Sequence, residues 1–332
     1  MSGINGDMAH LSDGLFTTAI AVYALAMVGH TAEYAFGRVA RSAAEKAAPT
    51  RSLVGAGGPT VDVPPPVDAP RPKRKLADKF GRWSVALTVV GALIHLSSIL
   101  VRALAVDAVP WSNMYEFASV SGLVAVIAFL IVLWKAPQVR HLGGFILLPV
   151  ILLMFMAGTV FYGEAQKLVP ALQSYWLAIH VFLVSIAEGA LLTSAVLTIL
   201  YLVKARHDKL VAAGSPKGRV TSLAARLPSA ETLDKAAYRV VAFSFPLYTV
   251  AIICGAIWAE AAWGRYWGWD PKETWAFIVW VIYAGYLHAR ATAGWKGRSA
   301  AYINLAGFTA IVFNFIIVNL VVTGLHSYAG VS

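Results

Sequence analysis

Trp258 to Arg290 reads W-A-E-A-A-W-G-R-Y-W-G-W-D-P-K-E-T-W-A-F-I-V-W-V-I-Y-A-G-Y-L-H-A-R. A Trp-rich, Gly-hinged surface segment, Trp263-Gly264 to Trp267-Gly268-Trp269, gives way here to an apolar helix. The junction is Asp270, Pro271 and Glu273: a side-chain acceptor at the N-cap, proline at the first helical position and glutamate at the third. That combination starts a helix and sets carboxylates against the positive end of its dipole. Two plain explanations stand beside any functional one. Asp270 is a helix cap, and tryptophans at a membrane edge form an interfacial belt. A belt, however, has no need of Trp-Gly-x-x-Trp-Gly-Trp-Asp at fixed spacing.

The surrounding composition fixes the class. In 332 residues, 58% are hydrophobic and 13% charged, and the mean hydropathy is +0.67. This is the composition of an all-α, polytopic membrane protein. About eight spans are expected, near 15–36, 83–104, 116–134, 143–161, 176–203, 241–259, 273–290 and 301–323. The first starts too far along, and runs too long, for a cleaved signal peptide, and no small-residue cleavage site follows it.

The formal charge of +10 raises the question of nucleic acid, and the placement of the charges excludes it. Of 27 Lys and Arg residues, 23 fall in 38–82, 135–140, 204–239 and 290–298. These are alternate connections on one side, cytoplasmic by the positive-inside rule, so both termini and the Trp segment are expected outside. The single cysteine, Cys254, allows no internal disulfide, and without a Cys-x-x-Cys pair the chain neither carries covalent c-type haem nor acts as a thiol reductant. A buried free cysteine is most simply a small apolar core residue.

Three regions are expected: residues 1–37 with the first helix, a basic Ala/Pro-rich cytoplasmic linker over 38–82, and a core of seven helices over 83–332. The linker, with Pro64-Pro65-Pro66 and Arg71-Pro72-Lys73-Arg74-Lys75, reads as disordered and suited to anionic lipid headgroups. The run Ala230 to Arg239 reads as an amphipathic helix along the inner surface. His141 and His207 sit in basic connections and read as solvated. His30, one turn from Glu33, is explained equally by helix-end snorkelling. His95 lies mid-span, where an ionisable group is a functional candidate; a neutral imidazole bonded inside the core is the alternative.

Two histidines reach the layer of the Trp segment. His180 lies about one turn inside the fifth span, and His326 emerges from the eighth. From different helices beside a Trp-rich platform, they offer a pair of axial ligands for an iron porphyrin, while each alone reads equally as an ordinary interfacial residue. Trp263, Trp267 and Trp269 would offer aromatic faces to the ring, and Arg265 and Lys272 would pair with its propionates. His288 follows Glu273 by fifteen residues, roughly 22 Å along the helix, in the inner leaflet.

Trp-Gly-x-x-Trp-x-Trp-Asp-Pro-Lys-Glu-Thr-Trp, Trp263 to Trp275, resembles the WWD signature of haem-handling membrane proteins. With Leu287-His288-Ala289-Arg290 it is most similar to the CcsA (ResC) family of the CcsB–CcsA cytochrome c synthase. The turn Pro110-Trp111-Ser112-Asn113-Met114-Tyr115-Glu116 resembles the family's Pro-x-x-Asn-x-Tyr-Glu element and reads equally as a capped turn. The likeness extends over roughly Ser84 to Ser332.

The resemblance implies a multi-pass protein of the bacterial plasma (inner) membrane with its active face external. Haem b, as substrate, would enter at His288 and be presented, reduced, between His180 and His326 under a segment that includes Asp270. A CcsB (ResB) partner would share in attaching it, through thioether bonds, to the Cys-x-x-Cys-His of apocytochrome c. The activity would be that of a holocytochrome c synthase, dependent only indirectly on a thiol reductant pathway. Rival expectations are a haem exporter of another maturation pathway, and a secondary transporter without haem in which His95, Arg102 and His288 line a polar path.

Overall fold

The computed structural model describes residues 4–47, 72–109, 111–166, 173–214, 224–292, 294–322 and 324. Among them are eight α-helices: α1 (Gly6–Ala47), α2 (Pro72–Val106), α3 (Met114–Lys135), α4 (Gly143–Thr159), α5 (Tyr175–Ala212), α6 (Ala230–Trp263), α7 (Pro271–Ala291) and α8 (Arg298–Leu320). A 3-10 turn, Pro137–Leu142, precedes α4. The architecture is that of a multi-pass, all-helical membrane protein.

The first two helices are longer than expected. α1 continues to Ala47, through Ala-Glu-Lys sequence that favours helix, and α2 opens on Pro72 at its first position. The expected linker 38–82 is thus helical at both ends, and its middle, 48–71, lies outside the described residues, as do Lys167 and the stretch 215–223.

α1 and α2 lie antiparallel. Ser12 Oγ donates to the Ser98 carbonyl and Ser98 Oγ to the Ser12 carbonyl, each at 2.9 Å, and small residues such as Ala19, Ala26 and Ala92 let the backbones approach. α3 and α4 complete this half of the molecule around Tyr23, Val126, Leu147 and Met154. The second half pairs α5 with α6 and α7 with α8. Asn304 of α8 donates to Ser194 Oγ at 2.9 Å and Thr198 Oγ1 at 2.7 Å of α5, and Ser194 passes the chain on to the Ala237 carbonyl of α6.

By length and hydropathy, seven of the helices qualify to cross a membrane. The exception is α7, whose Lys272, Glu273, His288 and Arg290, with several Trp and Tyr residues, lower its mean. It nevertheless follows α8 along its length: Trp275 packs on Phe313 with centroids 4.1 Å apart, and Tyr283 donates to the Asn304 carbonyl at 3.4 Å. Its 21 residues span roughly 31 Å, which matches a bilayer core.

Ala230 to Arg239 is not a separate surface helix but the first turns of α6. Leu233 and Ala237 are buried against Leu197, Leu200 and Tyr201, and Asp234 holds Arg290 of α7 through two bonds of 2.7 and 3.0 Å. Packing on protein is what lifts this amphipathic face off the surface. The histidines expected to be solvated are also drawn in: His207 is buried, and His141 is half-buried beside the Tyr34 ring.

Candidate functional site

A cavity of about 200 Å³ opens between α5, α6, α7, α8 and the turn before α3. Four of the helix ends that frame it meet at the Trp segment. α6 is stopped by Gly264, whose left-handed φ of 71° closes the helix through a bond to the Glu260 carbonyl. α7 is started by the full capping box: Asp270 Oδ2 accepts from Lys272 N at 3.3 Å, and Glu273 Oε2 accepts from Asp270 N at 3.1 Å and Gly268 N at 2.8 Å. The cap therefore also ties down the Trp loop.

The tryptophans divide into wall and rim. Trp258 and Trp263, edge to face at 4.7 Å, line the cavity together with Trp267. Trp269 is 65% exposed, stands edge-on to Trp267 at 5.8 Å and is held at a positive φ of 58°. A bulky residue in that region is strained backbone of the kind concentrated at functional loops. Arg265 is on the roof, over Gly268 and 4.0 Å from Glu273 Oε2. Lys272, by contrast, lines the cavity itself.

His180 is half-buried in the wall. Its Nδ1 is 2.7 Å from the Ala251 carbonyl of α6, an atom that can only accept, so Nδ1 carries a proton, and in the neutral tautomer the lone pair is on Nε2. A metal-ligating imidazole is commonly oriented by such a second-nitrogen bond to a carbonyl. The close approach requires Gly255, where a Cβ would fall 2.6 Å from His180 Nδ1.

His326 lies outside the described residues. The chain leading to it reaches Asp270 at Gly324, where a Cβ would stand 2.7 Å from Asp270 Oδ1. The segment two residues before His326 thus touches the cap of α7.

The other candidates are elsewhere. His288 is exposed, near the far end of α7. His95 is fully buried, its Nε2 3.0 Å from Ser119 Oγ and its Nδ1 3.4 Å from the Tyr23 hydroxyl. Arg102 is held by Glu116 at 2.7 Å and Asp13 at 3.3 Å, and its guanidinium lies over the Tyr115 ring at 4.6 Å. His95 and Arg102 share the interface of α2 with α3, His288 is at the far end of α7, and none of the three lines the cavity. His30 is also buried, with Nε2 3.4 Å from Thr88 Oγ1.

In the turn before α3, Asn113 caps the helix by accepting from Glu116 N at 2.9 Å. Trp111, Ser112 and Asn113 also line the cavity, so the turn is at once a cap and part of the site. Among the lining residues that escaped the sequence reading are Glu188, Gly255, Asn314 and Asn319. Glu188 carried an available signal, being a carboxylate inside an apolar span and on the stripe His180, Val184, Glu188 at helical spacing.

Residues 111–326 match the family model described as cytochrome C assembly protein, from the turn before α3 to the expected second ligand. The cytochrome c biogenesis protein CcsA of Chlamydomonas reinhardtii is 38% identical over 246 residues, covering 72% of this chain and 66% of that protein. The CcsA of Trieres chinensis is 34% identical over 285 residues, covering 76% and 90%, and that of Synechococcus elongatus 40% over 199 residues, covering 50% and 61%. With a family match over most of its length and relatives of this identity, the chain belongs to the CcsA family of cytochrome c assembly proteins.

Proposed function

We propose that this chain presents reduced haem to apocytochrome c at the tryptophan end of the bundle. His180 Nε2 and His326 are the two axial ligands, and Trp258, Trp263 and Trp267 wall the ring. Family membership sets the process as cytochrome c biogenesis, and the observation that carries the site is the His180 bond to the Ala251 carbonyl at 2.7 Å. It fixes the tautomer and aims a ligand nitrogen before any iron arrives. Gly324 against Asp270 supports the second ligand, since it brings the chain back to the cavity roof just ahead of His326.

Haem reaches this site from the basic, cytoplasmic end, where His288 on the outer face of α7 receives it with a ligand from a CcsB (ResB) subunit. The exposure of His288 fits a site completed by a second protein. Both termini and the Trp segment lie outside, and the membrane is the bacterial plasma membrane.

The reaction adds each thiol of Cys-x-x-Cys-His across a haem vinyl group. Sulfur bonds to the carbon next to the ring, the proton ends on the terminal carbon, and no electrons are consumed. The protein contributes position: two ligands fix the plane, the tryptophans exclude water, and a bimolecular encounter becomes an oriented one. The chemistry resides in the haem and the thiols.

The test is maturation of a reporter cytochrome c in cells carrying this chain with its partner. His180→Ala abolishes covalent haem in the reporter, and His288→Ala empties the external site as well. Wild-type maturation in the His180→Ala strain contradicts the proposal.

A further inference from the structure

The walls of the cavity change character with depth. On α5 the lining residues His180, Val184 and Glu188 form one stripe about 12 Å long by the helical rise. The upper part is aromatic. The lower part holds Glu188 from α5, Lys272 reaching in from the start of α7, and Asn314 from α8.

Lys272 makes no ion pair within 4.0 Å among the described residues, and the carboxyls whose field reaches it are those of Glu188 and Asp270. Asp270 already accepts from the α7 backbone. An ammonium group drawn into a membrane domain without a direct partner is costly. Beside it, Asn314 Oδ1 and Asn319 Oδ1 are buried with no hydrogen-bond partner among the described residues. Both asparagines line the same cavity. Both asparagines are on α8 and their unmet atoms are acceptors, so among the described lining residues it is Lys272 that offers charge to an anion.

We infer that this polar floor takes an anionic carboxylate of the bound porphyrin, with Lys272 as its charge partner. This deepens the haem reading above and rests on it. Arg265, the other cation of the Trp segment, is on the roof and engaged with Glu273, so the propionate edge points inward to Lys272 rather than up to the loop. The opposite, vinyl-bearing edge then faces the mouth, where Tyr266 and Trp269 are 61% and 65% exposed and an incoming peptide arrives. Glu188 is a positioning residue: it offsets the charge of Lys272 until the carboxylate enters.

The experiment titrates the full chain, purified in detergent from haem-limited cells, with iron mesoporphyrin IX and with its dimethyl ester. Both lack vinyl groups, so binding is read without attachment. The free acid binds wild type at least about thirty-fold more tightly than the ester, the low end for truncating one partner of a buried charge pair. Lys272→Gln erases that preference and Lys272→Arg restores most of it. Equal binding of acid and ester to wild type overturns the inference while leaving the haem site standing, and needs no variant to fold. A preference that survives Lys272→Gln, or that vanishes instead in Arg265→Gln, moves the carboxylate to the roof and also overturns it. Failure of both porphyrins to bind wild type removes the haem site and this inference together.

Discussion

Two polar clusters, one in each half of the bundle, are held in different ways, although both halves also bury polar atoms without partners among the described residues. In α1 to α4, Arg102 is matched by Glu116 and Asp13, and His95 bridges Ser119 and Tyr23. Each group is satisfied inside the protein, with the helices closed around it. In α5 to α8, His180, Glu188, Lys272 and Asn314 face a shared cavity, and Asn314 Oδ1 is buried with no hydrogen-bond partner among the described residues. Intramembrane polarity alone therefore does not mark function; what marks it is polarity directed at open space. On the proposed reading, the Arg102 and His95 clusters are scaffold and the cavity receives the ligand.

The comparison is broken most severely at Arg102. Arg102→Met leaves the buried Glu116 carboxylate, and the partly exposed Asp13, without their cation and costs about 3–5 kcal/mol, read as a fall in thermal stability in detergent. Protein that still folds keeps the haem spectrum of wild type; a changed spectrum would place Arg102 in the site.

Two glycines sharpen the contrast, because each admits a close neighbour. At Gly189 a Cβ would meet the Ser121 carbonyl of α3 at 2.5 Å, so Gly189→Ala forces helices apart and costs roughly 1–3 kcal/mol without altering haem ligation. At Gly255 the obstacle is the His180 ring. Gly255→Ala moves a side chain instead of a backbone, so the thermal midpoint falls less and the ligand field changes. The reverse pattern would contradict the division.

Smaller effects lie at the cap and in the core. Asp270→Ala removes the N-cap acceptor, costs about 1 kcal/mol, and loosens the Trp loop, seen as faster proteolysis between residues 263 and 270. His95→Gln weakens one internal network by roughly 0.5 kcal/mol and leaves haem content unchanged. Loss of haem there would transfer His95 to the functional half.

What the sequence made legible follows the range of the interactions. The capping box was readable because Asp270, Pro271 and Glu273 signal within four residues, and the spans because hydropathy is local. Gly255 was not readable, since its reason is a histidine seventy-five positions earlier, brought close only when α5 packs on α6. The Trp segment reads as one platform, whereas backbone direction after Gly264 splits it into wall and rim and sends Lys272, but not Arg265, into the cavity. Composition misled at 38–82, where Ala and charged residues on either side of the proline run continue the helices. It misled at 230–239 too, where an amphipathic face finds protein to pack on in place of lipid.

The central claim is that His180 binds the iron, and the most direct measurement is the reduced absorption spectrum, with pyridine haemochrome content, of the purified complex carrying His180→Gly. The account predicts lowered haem and a lost low-spin signature, both partly restored by added imidazole occupying the vacated space. Haem content and spectrum equal to wild type, and insensitive to imidazole, would contradict it.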